Sequence, residues 1–348
     1  MGYSIKKILL ISALTFSIST LAQDSIRAEY PSFFENDKIL KATLSFDITN
    51  HIRKKSETYS QGKIVIYDSD NDSISFNVRC RARGNYRKDN CLFPPIMLNF
   101  KPDTLFTTDG YLTKLKLVSH CQNSKLYTKS LLEEYLIYKL WEIISPYALR
   151  TRLLNISYQD IGPKKNRNLQ QLGFLIEPLY MMTRRTKTIE IKGEYFKDEE
   201  INEFDADRVA FFNYMIGNTD WRIKSGHNIK FIKRFGHRRE EVSAIPYDFD
   251  HAGLINAPYA NPAEWSNAKS VTERDYCGHC RTLDNNYHIL IEEFLAAEEI
   301  IYQTIMEFEH LPLKSRKQTY KYISAFYKEI KNTKSFIRML HSSCMEKY

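Results

Sequence analysis

The residue pattern predicts an α+β chain in two lobes, an antiparallel β-rich front lobe over residues 23–176 and a helical rear lobe over residues 177–348. Three observations carry this. Short runs of alternating apolar residues crowd the front half, longer amphipathic runs fill the rear half, and Gly173-Phe-Leu-Ile-Glu-Pro178 between them reads as a strand closed by proline, a natural hinge.

Strands are expected at Ile39 to Ile48, Lys63 to Tyr67, Ile74 to Arg81, Ile96 to Phe100 and Leu112 to Val118. They are punctuated by the turn sequences Asp68 to Asp72 and Asp109-Gly110, which makes an antiparallel meander. Thr128 to Ile144 repeats its apolar side chains at helical spacing (Leu131, Leu132, Tyr135, Leu136, Leu140) and stops at Ser145-Pro146. A strand pair follows around Arg152 to Tyr158 and Leu172 to Ile176. In the rear half, Glu199 to Ile216 reads as an amphipathic helix, Ile229 to Ile232 as an apolar strand, and the chain from Tyr287 onward as two or more helices interrupted at Leu311-Pro312.

The first 22 residues read as a removable secretory signal. Lys6 and Lys7 form the charged start, an apolar run extends from Ile8 to Leu21, and Thr20-Leu21-Ala22 offers small residues for cleavage. That run is shorter than the ~20 residues a bilayer core requires, and no later stretch spans a membrane without charges. The expected location is exported: periplasm, cell surface or secreted. About 326 residues (348 − 22) remain, with 43% hydrophobic residues and 43 Tyr plus Phe (23 + 20), which excludes a disordered or linker-rich chain. Net charge falls from +8 to +6 once Lys6 and Lys7 leave. The positive residues gather in segments such as Arg79 to Arg87, Arg184-Arg185 and Lys230 to Arg239, a balance suited to a phosphate-bearing ligand or an anionic surface; no nucleic-acid motif accompanies them. Of six cysteines, Cys80, Cys91 and Cys121 fall in one stretch, and Cys277-Gly-His-Cys280 is read as a disulfide or buried thiol pair in preference to a metal site.

The chemistry is concentrated in three polar segments. Gly217-Asn-Thr-Asp220-Trp follows the helix ending at Ile216, His227-Asn228 enters the next apolar strand, and Ile245-Pro-Tyr-Asp248-Phe-Asp250 follows another. Carboxylates and an amide carbonyl in this order can converge on one divalent cation while one carboxylate stays free as a base. Such hard oxygen donors suit Mg²⁺ or Mn²⁺ holding phosphates better than zinc. The order resembles the rear half of protein kinases, with eight residues from Asp220 to Asn228 and Asp-Phe-Asp where kinases carry Asp-Phe-Gly.

Arg81-Ala-Arg83-Gly84-Asn85-Tyr86 and Phe93-Pro-Pro-Ile-Met-Leu-Asn-Phe100, taken with those segments, resemble the spore coat protein H (CotH) kinase-like family over about residues 75–255. The resemblance implies a two-lobed atypical protein-kinase-like fold. It also implies transfer of a phosphoryl group from ATP, with Mg²⁺ or Mn²⁺, to a Ser, Thr or Tyr hydroxyl of an exported protein. Carried over, it makes Asp220 the catalytic base, Asn228 and Asp248 metal ligands, and Asp250 a further ligand or structural acceptor. Arg83, Gly84 and Asn85 become the turn that approaches the nucleotide phosphates. Pro94-Pro95 stands where family members often have a Lys pair. The phosphate-binding lysine is therefore sought at Lys116, with Lys114 on the same face, paired to Glu134 or Glu133 on the following helix. Two other functions use the same residues: a catalytically inactive envelope scaffold, and a metal-dependent phosphohydrolase that activates water.

Overall fold

Seven strands close on themselves in a computed structural model that describes residues 33–35, 37–67, 73–100, 106–107, 110–111, 113–163, 167–193, 196–234 and 242–344. The expected leader at 1–22 and the turn at 68–72 lie outside the described residues, as does part of the turn at 109–110. In chain order the strands are β1 (Leu40–Phe46), β2 (Ser60–Tyr67), β3 (Ser73–Ala82), β4 (Ile96–Phe100), a small hairpin β5 (Phe106–Thr107) and β6 (Gly110–Tyr111), β7 (Lys114–Val118), β8 (Thr151–Asp160) and β9 (Asn168–Ile176). The ring runs β1-β2-β3-β4-β7-β9-β8 and closes where β1 meets β8 in parallel, Leu40 opposite Leu154 and Phe46 opposite Asp160.

This overturns the expectation of a two-lobed kinase-like fold with an antiparallel β-rich N-lobe. The front half is a closed barrel of mixed direction, accompanied by nine helices among the described residues. The physical reason is the alternation itself. Leu44, Phe46, Ile64, Val78, Cys80, Leu98, Leu115, Ile156, Tyr158 and Leu175 all point inward and bury one another in a single core. An open sheet would leave part of that face wet, at ~1.5–3 kcal/mol for each large apolar side chain exposed.

Outside the barrel, the opposite faces of β7, β8 and β9 meet α3 (Lys125–Ile144) and the rear helices in a second core that holds Val118, Leu153, Phe174, Tyr138, Trp141 and Phe212. Between β1 and β2 lies α1 (Ile48–Lys54), started by Asp47, whose carboxylate accepts from the Asn50 N–H at 2.8 Å. The five-residue α2 (Tyr86–Asn90) joins β3 to β4. Helix α3 begins at Ser124, which caps the Tyr127 N–H, and ends at Ser145 as expected.

Short helix α4 (Leu179–Arg185) follows the barrel and leads into a three-stranded antiparallel sheet, β10 (Thr188–Ile191), β11 (Ile229–Arg234) and β12 (Val242–Pro246). Helix α5 (Glu203–Ile216) is capped by Asn202, carries Glu203 and Asp205 in its first turn, and stops at Gly217, whose φ of 66° is left-handed. The chain finishes in α6 (Asn285–Ala296), α7 (Glu298–Glu307), α8 (Leu313–Ile330) and α9 (Thr333–Ser343), with the expected break at Leu311-Pro312. None of the described helices is long and apolar enough to cross a membrane. Two disulfides form, Cys91–Cys121 and Cys280–Cys344. The expected pairing of Cys277 with Cys280 is therefore replaced by a bridge to the last helix, and Cys277 and Cys80 remain thiols.

Candidate functional site

A buried arginine organises the seam between barrel and helices. Arg87, on α2, donates through Nη1 and Nη2 to the Glu134 carboxylate of α3 at 2.8 and 3.2 Å, through Nη2 to Asp248 Oδ1 at 2.7 Å, and lies 3.1 Å through Nε from Asp250 Oδ2. Three carboxylates from two separated segments, Glu134 on α3 and Asp248 and Asp250 after β12, thus share one guanidinium, a fork whose geometry suits carboxylate oxygens. Burial would raise Asp248, but Arg87, Arg83 and Lys116 outweigh it and hold its carboxyl below the ordinary range. Burial pushes Asp250 up against the pull of Arg87. Glu134 is likewise pushed up by burial while Arg87 opposes.

The end of the β11–β12 ladder supplies the next groups. Beyond the Ile229–Pro246 pair, the Tyr247 N–H bonds the Asn228 carbonyl at 3.1 Å, so Asn228 and Asp248 emerge side by side. Both take left-handed backbone, φ 51° and 62°, which turns them out of the ladder. The Tyr138 hydroxyl of α3 accepts from the Asp248 N–H at 3.0 Å and fixes that turn. Asp220, three residues past the Gly217 cap, is drawn to the same place. Its N–H bonds the Asn218 side chain, its Oδ1 meets His227 Nε2 at 2.7 Å, and Asn228 Nδ2 donates to its Oδ2 at 2.9 Å and to its carbonyl at 2.8 Å. The Asp220 partnership raises the His227 pKa. The structure thus brings Asp220, Asn228 and Asp248 together.

Cations gather around Tyr247 and Asp248. Lys116 on β7 and Lys230 on β11 approach the ring of Tyr247, their ammonium nitrogens 4.7 and 5.3 Å from its centre, and neither forms a salt bridge among the described residues. Burial, then the positive neighbours Arg83 and Lys230, bring Lys116 down to about 8. Arg83 is depressed by burial and sustained by Asp248. The expected Lys116–Glu134 pair is not formed: Glu134 is taken by Arg87, and Glu133 bonds Lys129 at 2.8 Å. Gly84 and Asn85 make the turn that launches α2, Gly84 with a φ of 87°, and no side-chain bond from Asn85 enters the cluster among the described residues.

The donor set decides what cation fits. No three His, Cys, Asp or Glu side chains among the described residues are arranged to hold a metal. A magnesium ion carried on phosphates needs only one or two protein carboxylates. Asp248 meets that need, since its side chain is 31% exposed and only its Oδ1 is bound to Arg87. Asn228 bonds Asp220 through its amide nitrogen, which leaves its carbonyl oxygen as the second donor. Asp250 does not open in this way: its side chain is 9% exposed, with Arg87 on one side and the Tyr259 hydroxyl on the other.

Sequence reasoning missed Arg87 and Lys230 as members of this site, while Tyr247 counted only as a neighbour of Asp248. Arg87 and Lys230 stood inside basic segments noted for charge alone, and the four-residue step from Arg83 to Arg87 was the one available signal. Comparison of the chain with family models, with curated proteins and with solved structures returned no match.

Proposed function

We propose that this seam transfers a phosphoryl group from a nucleotide, ATP in the first instance, to a hydroxyl of a protein, with Mg²⁺ or Mn²⁺. The observation that carries the reading is the gathering of cations beside Asp248, with a firmly positioned Asp220 on the adjoining turn. Arg83 and Lys116 stand close enough to Asp248 to hold its carboxyl down, Lys230 shares the Tyr247 ring with Lys116, and Asp220 is fixed by His227 and Asn228. Phosphoryl transfer asks for little more than positioning and charge neutralisation, which this arrangement offers. Lys116, Lys230 and Arg83 hold the phosphates of the donor. Asp220 orients the acceptor hydroxyl and receives its proton as the new O–P bond forms and the bond to the β-phosphate oxygen breaks. The Asp248 oxygen not bound to Arg87 and the side-chain Oδ1 of Asn228 are the groups that would hold the divalent ion, which when bound would supply further neutralisation of the phosphates. The order of Arg83-Gly84-Asn85, Asp220, Asn228 and Asp248-Phe249-Asp250, with its resemblance to the CotH kinase-like family, supports the same chemistry on a barrel-containing scaffold. An exported location is part of the proposal, and the two disulfides support it, since such bonds persist in oxidising compartments.

The test is labelled ATP with Mg²⁺ or Mn²⁺, the chain from Gln23 onward, and casein as a hydroxyl-rich acceptor. Label on casein or on the chain itself is expected, and Asp220→Asn is expected to abolish it while calorimetric ATP binding and the melting temperature persist. Label released to water identifies a phosphohydrolase instead. ATP binding with no transfer selects the inactive scaffold, a reading favoured by one observation, the engagement of Asp248 by Arg87. Absence of any ATP binding overturns the proposal.

A further inference from the structure

A second concavity, of about 280 Å³, opens on the barrel surface between α1 and the ends of β2 and β3, with Lys54, Ser56, Thr58, Tyr59 and Arg81 in its lining. Its chemistry is that of an anion site. The Tyr59 ring is flanked by the Arg79 and Arg81 guanidiniums at 5.3 and 5.4 Å, and Lys54 makes no salt bridge among the described residues. Ser56 Oγ accepts from the Thr58 N–H at 3.0 Å, which leaves its hydroxyl proton to donate. Two further wall groups, His51 and Cys80, bring no charge. Burial keeps His51 low, with Nε2 against the Pro94 carbonyl at 3.1 Å, and pushes the Cys80 thiol up to about 12.

One exposed carboxylate already sits at the rim. Glu57 bonds Arg81 at 3.0 Å and Lys88 at 2.8 Å although its side chain is 58% exposed, an internal anion standing on cations that face solvent. Location adds meaning. Arg81 lies opposite Met97, and Met97 opposite Lys116, so Arg81 and Lys116 share one row on the outer face of the barrel. Two strand spacings separate them, about 10 Å.

We infer that this concavity docks a phosphate monoester borne on a side chain of a protein partner, held by Lys54, Arg81 and the hydroxyls of Ser56 and Thr58. A guanidinium beside an ammonium and hydroxyl donors is the set that recognises phosphorylated side chains, and the volume admits one such head group. Resting on the phosphotransfer reading, the shared row sets this concavity on the same barrel face as Lys116.

The experiment is equilibrium binding without nucleotide, so that its outcome is independent of whether the chain transfers phosphate. A fluorescent phosphoserine peptide is compared with the same peptide unmodified, with inorganic phosphate as competitor, and with vesicles bearing a phosphomonoester lipid. The phosphopeptide is expected to bind about tenfold more tightly than the unmodified peptide, with inorganic phosphate competing. Arg81→Gln and Lys54→Gln are expected to weaken it severalfold at unchanged melting temperature, and Glu57→Gln to tighten it. Equal binding of the two peptides overturns the inference, as does a preference for the vesicles. So does a loss of binding in Lys116→Met that Arg81→Gln does not share, which would seat the phosphate at the other site.

Discussion

Removing Arg87 strips a buried cation from three carboxylates at once, and the cost is readable from the geometry. In Arg87→Ala, Glu134 and Asp250, with side chains 2% and 9% exposed, lose their nearest positive charge, and Asp248 loses its 2.7 Å partner. Each contact of this kind is worth about 4 kcal/mol at an effective dielectric near 20, but forming it also desolvated both ions. The net cost of breaking a buried pair by deleting one member is ~3–5 kcal/mol. That loss depends on pH in a defined direction. Burial already pushes Glu134 and Asp250 up, and without Arg87 their folded pKa values rise further above the unfolded ones. A raised carboxyl stabilises the fold below its unfolded pKa and gives that up as pH climbs through its folded pKa, so the penalty is largest at neutral and alkaline pH. Urea unfolding of wild type and Arg87→Ala at pH 8 and pH 5 is the assay. The expected destabilisation is ~3–5 kcal/mol at pH 8, falling by on the order of 1–2 kcal/mol at pH 5. Arg87→Ala/Glu134→Gln is expected to recover part of it. A loss below about 1 kcal/mol at pH 8, or one unchanged between the two pH values, refutes the reasoning.

Two further outcomes follow from the same region. Lys116 carries its charge below about 8, and an anion-holding ammonium there is lost as pH rises through that value. ATP affinity measured by calorimetry is therefore expected to weaken between pH 7 and pH 9, and Lys116→Met to be weaker and nearly flat across that range. Cys91 closes α2, its N–H on the Arg87 carbonyl at 3.0 Å, and its bridge to Cys121 spans 30 residues. Cys91→Ser/Cys121→Ser is expected to lower stability by ~3–4 kcal/mol in urea unfolding.

Strands and helices were legible wherever the pattern was local. Ile96 to Phe100 was located to the residue, and the α3 helix was found except for its first three residues, because apolar spacing and the Ser145-Pro146 stop both act within a turn. Three short helices escaped, α1 at 48–54, α2 at 86–90 and α4 at 179–185, being too brief to show a periodic face. Barrel closure escaped for a different reason: nothing in Leu40 to Phe46 names Leu154 to Asp160 as its neighbour. At the site, Asp220, Asn228 and Asp248 were singled out because Asp220 and Asp248 follow apolar elements and Asn228 enters one. Arg87 was not, since its role depends on the folding back of α2 onto α3, a contact 47 residues distant in the chain. The same contact explains why Glu134 turned from Lys116 to Arg87.

The parallel seam of the barrel also sets an order of events for the chain. Leu40 finds Leu154 across 114 residues (154 − 40), whereas β2 and β3 are neighbours in sequence. Long-range parallel pairing is slow because loop entropy must be overcome before any contact rewards it. The first strand is thus the last to be sealed, and until β8 arrives its flank is an open template for intermolecular association. A nascent chain halted before Asp160 is the form of this protein most exposed to aggregation.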